Sequence, residues 1–304
     1  MTTSATDGRN RVGGDDRADT TDGDANAPLR RELLGSVRSL DLLVLLAVPT
    51  VLIAVFSLPE STRWSLAFAY ADPTLRSAFT AHYVHLDLGH LAGNVAGYCL
   101  LAGVGYALAA LGDARRFFLT ALATFLLAFP FALSALNLAV PRDAVGFGFS
   151  GINMALAGLL PLLLWTYGRE RFVPGASPRA LPAAFFALVG WIALLALPLS
   201  TTGVGLAGLA TGVGGALLAV LYASSAGVPI RATAREDVVT IASRPGEGDL
   251  FVAGAVLIVG YPVAGFPADP TGAGSVVNLY VHLLGFCLGF IGPFSLLAVG
   301  VFDA

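Results

Sequence analysis

Eight apolar stretches dominate the chain, at roughly residues 40–58, 88–111, 117–139, 150–167, 181–199, 203–224, 250–267 and 277–301. Several reach the ~20 residues that a helix needs to cross a bilayer. In hydrocarbon the backbone's own polar groups must be satisfied within the protein, so such stretches can be little other than helices. Charged residues are only 12% of the 304, against about a quarter in an ordinary soluble domain, and mean hydropathy is +0.77. The fold class expected is an all-α polytopic membrane protein with about eight spans.

Proline placement refines the segments. Pro141 and Pro198 fall at segment ends, where a missing amide donor costs least. Pro130, Pro161 and Pro293 lie further inside and are expected to kink their helices. Only Ser200-Thr201-Thr202 separates the fifth and sixth segments, which makes either a tight helical hairpin or one long broken element. The first 28 residues are polar, with Asp7, Asp15, Asp16, Asp19, Asp22 and Asp24, and contain no apolar core of a signal peptide. Residues 1–37 are therefore expected to form a disordered acidic cytoplasmic tail, and 38–304 the transmembrane domain. Cys99 and Cys287 lie within spans and lack metal or redox spacing.

Arginine placement gives an orientation. With the N-terminus inside, the inner loops hold eleven arginines (30, 31, 38, 115, 116, 169, 171, 179, 231, 235 and 244), against Arg63, Arg76 and Arg142 outside. Basic residues accumulate on the cytoplasmic side, so both termini are expected there, in a multi-pass protein of the plasma membrane.

Three polar clusters then fall at the outer ends of spans. His85, His90 and Asn94 open the second span, Gly148-Phe149-Ser150-Gly151 the fourth, and His282 with Gly285 and Gly289 the eighth. Polar groups inside a bilayer are costly, so function is the default reading. Ser150 follows a glycine-rich run and begins a helix, whose free amides suit a developing oxyanion. The bland alternative is a serine that merely caps a membrane helix. His282 is the candidate base, and Gly285-x3-Gly289 lets a neighbouring helix approach closely. Asn278, one turn earlier, is open to a role in orienting its ring. His90 and Asn94, spaced i and i+4, both can donate toward an oxyanion; Asn94 equally fits a helix–helix hydrogen bond. His85 would point about 140° away from His90 on a continuous helix, so it is placed in the approach to the span. His82 reads as an interfacial residue and Asp87 as solvated. No carboxylate completes a triad, which leaves a Ser150–His282 dyad.

His85-x4-His90-x3-Asn94, Gly148-Phe149-Ser150-Gly151 and His282-x2-Gly285-x3-Gly289 resemble the motifs of the rhomboid family of intramembrane serine proteases. Residues 75–85 also resemble the family's run from its first outer loop, and Gly158 matches a recurrent family glycine. The resemblance covers roughly residues 40–170 and 275–300. It implies a six-helix core, Ser150 as nucleophile, His282 as base, and His90 and Asn94 at the oxyanion site, with Gly148, Gly151 and His85 shaping its surroundings. It further implies transmembrane protein substrates and membrane lipids as partners, with no nucleic acid, no cofactor and no metal. Three departures stand out. Ser150 and His282 are 132 positions apart, with about three spans between them, so two additional helices are expected within about 180–267. Leu75-Arg76 stands where Trp-Arg is common. Met154 stands where many members carry an aromatic residue that packs on the histidine. The main alternative is a relative that binds membrane clients without cleaving them; a transporter or channel and a histidine metalloenzyme fit less well, since the spans carry almost no charged residues and His82, His85 and His90 do not share a helix face.

Overall fold

The computed structural model describes residues 27–140, 142–174, 177–197, 202–226, 239–241, 243–271 and 277–302. The acidic run before residue 27, Pro141, Pro198, Ser200, Thr201, Arg231 and Arg235 lie outside the described residues. The chain is an all-α, multi-pass membrane bundle. Its main α-helices among the described residues are α1 (Ala27–Ser36), α2 (Ser39–Phe56), α3 (Glu60–Leu66), α4 (Leu75–Thr80), α5 (Leu88–Leu111), α6 (Arg115–Leu127), α7 (Phe129–Asn137), α8 (Ser150–Arg171), α9 (Leu181–Ala196), α10 (Gly203–Ser225), α11 (Glu247–Gly265) and α12 (Leu279–Ala298).

Among the described residues seven helices are long and apolar enough to cross a membrane, and the bent pair α6–α7 makes an eighth segment. That pair is the expected third span. It breaks at Ala128 by 49°, where Pro130 enters the first turn of α7 and no amide remains to continue the ladder. Pro161 and Pro293, also expected to kink, are accommodated within α8 and α12, each a single helix throughout.

The centre of the bundle is α8, almost wholly buried, with α5, α11 and α12 against it. Helices α9 and α10 pair with each other instead. Gly190, Gly212 and Gly215 bring their backbones together, and a methyl on Gly215 would lie 2.6 Å from the Phe186 carbonyl. They form a peripheral hairpin, whereas α11 touches both α5 and α8.

One end of the bundle is tied by ions. Arg171, ending α8, pairs with Glu32 of α1 and Glu247 of α11, and donates to the Leu111 carbonyl that ends α5. Asp41, buried near the start of α2, is held by Arg115 and by the Tyr106 hydroxyl. The stretch expected to be disordered to residue 37 is thus corrected for 27–36: Leu29 and Leu33 pack against the core and Glu32 is paired, which fixes α1 as a helix.

At the opposite end lie the starts of α5, α8 and α12 and the end of α11. A two-residue antiparallel ribbon, β1 (Phe68–Ala69) with β2 (Val145–Gly146), anchors the loop that leads into α8 there.

Candidate active site

The loop before α8 is shaped by one glycine. Gly148 has φ +111, a left-handed conformation, and its amide donates to the Ala81 carbonyl at 2.9 Å. A methyl at Gly148 would lie 2.6 Å from His90 Cε1, so the imidazole sits directly over the loop. Phe149, fully buried between Tyr83 and Tyr98, plugs the turn into the core. Ser150 then starts α8. Its side chain makes no capping bond, and its Oγ has no hydrogen-bond partner among the described residues. The amides of Ser150 and Gly151 are likewise unpaired there, because the first bonds of the helix, from Ile152 and Asn153, both go to the Phe149 carbonyl. A free hydroxyl beside two free amides suits a nucleophile with an oxyanion site.

His282 is brought to the same cavity by a seam of small residues. A methyl on Gly285 would collide with the Gly151 carbonyl, one on Gly289 with the Ala155 carbonyl, and one on Gly158 with the Phe286 carbonyl. Helices α8 and α12 therefore touch backbone to backbone over two turns. One turn above Gly285, His282 is buried and its Nδ1 lies 2.6 Å from the Gly265 carbonyl at the end of α11. A carbonyl only accepts, so Nδ1 carries the proton and Nε2 of the neutral ring keeps its lone pair, in a residue that lines the cavity. The ring of Phe266 meets the imidazole edge-on at 5.9 Å. This aromatic contact comes from the residue that follows α11, while Met154 packs over Gly265.

Ser150, His282, His90, Asn94, Gly148 and Met154 all line one cavity of about 910 Å³. The three sequence clusters thus converge at one end of the bundle. Ser150 Oγ and His282 Nε2 do not hydrogen-bond to each other in this state. Gly151 lies in the seam against Val281 and Leu133.

Asn94 is engaged. Its Nδ2 donates to His85 Nε2 at 3.0 Å and to the His90 carbonyl at 3.1 Å, and Asn153, fully buried on α8, donates to the Asn94 carbonyl at 3.0 Å. Both hydrogens of the amide are committed, so Asn94 braces α5 against α8, and donation to an oxyanion would require it to release one of them. His90 is free of this constraint: neither ring nitrogen has a hydrogen-bond partner among the described residues, Nδ1 is buried, Nε2 lies over Gly148, and the residue lines the cavity.

Two sequence expectations are corrected and one is refined. His85 sits in the approach to the span, ahead of α5, as expected, but it does not itself line the cavity. It is fully buried and bonded to Asn94, and Arg63 of α3 donates to its carbonyl at 2.7 Å. His82 is not interfacial but buried. Its Nε2 donates to Ser134 at 3.1 Å, since the Ser134 hydroxyl itself donates to the Ala78 carbonyl. Burial lowers both imidazoles, His82 to about 4 and His85 to about 3, the latter with His90 adding to the shift. Asn278 does not orient His282. Its Oδ1 caps α12 through the Val281 amide, and its Nδ2 reaches Asn137. Asp87 is the N-cap of α5, accepting from the His90 amide at 2.7 Å.

Compared with protein-family models, with characterised proteins and with solved structures, the chain matches none. The reading of the site rests on its residues.

Several members of the site were missed in the sequence. Asn153 had a signal, being a buried amide three residues after Ser150 in an apolar span. The Gly265 carbonyl had none, since any residue offers one. Arg142 and Asn137 also line the cavity and are near each other in sequence, but Tyr70, which joins them there, lies too far back in the chain to be grouped with them.

Proposed function

We propose that the chain is an intramembrane serine endopeptidase of the rhomboid type that cleaves membrane-anchored proteins. One observation carries this reading: a serine with an unengaged hydroxyl and two unpaired amides shares a cavity with a histidine whose Nδ1–H is tied to a carbonyl. Ser150 Oγ attacks the scissile carbonyl as His282 Nε2 takes its proton. The oxyanion is received by the Ser150 and Gly151 amides and by His90 Nε2. The scissile C–N bond then breaks as the His282 imidazolium protonates the leaving amine. Water, deprotonated by His282, hydrolyses the resulting ester and frees Ser150. The Gly265 carbonyl takes the place of a triad carboxylate, fixing tautomer and orientation without a full charge. Helix α11 then serves as the fifth core helix and α9–α10 as the added pair. The arginine bias puts the cavity toward the outer face of the plasma membrane and both termini in the cytoplasm.

Binding of membrane clients without cleavage is the second reading, and the open contact between Ser150 and His282 favours it. Co-expression with a panel of single-span reporters, wild type against Ser150→Ala, decides between them. Serine-dependent cleavage within or beside the reporter span supports the protease. Intact reporters that co-purify equally with both forms support client binding.

A further inference from the structure

Among the described residues lining the cavity, Arg142 is the one permanently charged side chain. It is half-buried, in the loop between α7 and β2. Its Nη2 donates to the Tyr70 hydroxyl at 2.9 Å and to Asn137 Oδ1, and its guanidinium lies 4.4 Å from the centre of the Tyr70 ring. Asn278 donates to that same Asn137 oxygen at 3.1 Å, which fixes the amide from its other side. All these partners are neutral. They hold the guanidinium in place without cancelling its charge.

Other described arginines, such as Arg76, Arg116 and Arg169, meet no carboxylate but are exposed, and the rest are spent differently. Arg115, Arg171 and Arg244 each meet a carboxylate, and Arg63 is occupied by the His85 and Leu86 carbonyls. Among the described residues Arg142 has no carboxylate within ion-pair distance, and its Nε and Nη1 hydrogens make no hydrogen bond. A guanidinium stays protonated at every working pH. Placed in a partly enclosed cavity with donors to spare, it is matched best by a carboxylate, which brings charge as well as acceptors. The subsite is also tied to the nucleophile, because β2, paired with β1, lies between Arg142 and Ser150.

We propose that Arg142 is a specificity residue that receives an Asp or Glu side chain of the membrane-anchored substrate, beside the bond attacked by Ser150. This rests on the proteolytic reading above. The test uses Ser150→Ala protein in nanodiscs of zwitterionic lipid and single-span peptides carrying Asp, Asn or Lys at successive positions flanking the cut site. Kd is the readout, so no turnover is needed. The expected result is a position at which Asp binds about tenfold tighter than Asn, the scale of a charge-assisted hydrogen bond. With Arg142→Gln added, that ratio falls to about one, and with Arg142→Glu the Lys peptide becomes the tighter ligand. Equal Kd for the Asp and Asn peptides at every position overturns the proposal without any Arg142 variant having to fold. A Kd that responds to anionic lipid in the disc but not to peptide charge also overturns it, giving the arginine to a headgroup. Wild-type cleavage measured in parallel separates the two ideas. Acid-selective binding without cleavage removes the protease reading, whereas cleavage without acid preference removes the role of Arg142.

Discussion

In the proposed mechanism the Gly265 carbonyl orients His282 without supplying a full charge, so His282 acts largely through its position. His282→Ala is expected to abolish turnover while leaving the detergent melting temperature within a few degrees of wild type; retained cleavage would remove it as the base. Asn94 separates two roles. Its removal leaves His85 Nε2 buried and unpaired, at a cost of about 1–3 kcal/mol in stability. Asn94→Ala should therefore lower Tm as well as slow turnover roughly tenfold or more. A fall in kcat at unchanged Tm would instead mark Asn94 as a donor in the transition state. His82 and His85 predict a pH effect. The fold accommodates their neutral forms, with values of about 4 and about 3, whereas both protonate near 6.5 when unfolded. Their contribution to stability is complete above about 6.5 and is lost as pH falls toward those folded values. Tm should drop between pH 7.5 and 5, and less so in His82→Gln; a pH-independent Tm contradicts it. Ser150, His282 and the His90–Asn94 pair were legible in the sequence because polar side chains in apolar spans stand out. That His85 lies ahead of the span was legible too, but its bond to Asn94 was not, because it depends on the course of the chain before Leu88, where α5 begins. Ahead of that point the chain is non-helical and returns His85 to Asn94.

At the scale of elements, the α8–α12 seam sets the site. The Gly285-x3-Gly289 spacing announced a close helix contact, but the partner helix became evident only when Gly151, Ala155 and Gly158 met it. Gly285→Ala puts a methyl into the Gly151 carbonyl and must push α12 outward, carrying His282 with it. The expected outcome is a loss of about 1–3 kcal/mol by overpacking and a larger loss of activity. Gly292→Ala, on an open face of the same helix, should be silent. Equal effects of the two substitutions, measured by Tm and reporter cleavage, would mean that the seam does not position the histidine. The eight segments were legible from length and hydropathy alone. Hidden in the sequence was which of the three spans between Ser150 and His282 reaches the site. That depends on Gly254, Tyr261 and Gly265 of α11 meeting α5, α8 and α12, contacts with no local signature.

For the whole molecule, an ion-tied end and a cavity end divide the labour. Arg171, Glu32 and Glu247 gather the ends of α1, α8 and α11, and Asp41 with Arg115 joins α2 to α6. The cavity end carries the uncommitted polar groups. Single cysteines introduced at exposed Asp143 and exposed Arg169, with Cys99 and Cys287 replaced, should react with a membrane-impermeant maleimide from opposite sides, Asp143→Cys from outside. Labelling of both from one side would break the assigned topology. The most direct measurement of the central claim is fluorophosphonate labelling of the protein in membranes, with the modified residue located by mass spectrometry. The account predicts one adduct, on Ser150, lost in Ser150→Ala and in His282→Ala protein that remains folded. An adduct that persists without Ser150, or forms at full rate without His282, contradicts it.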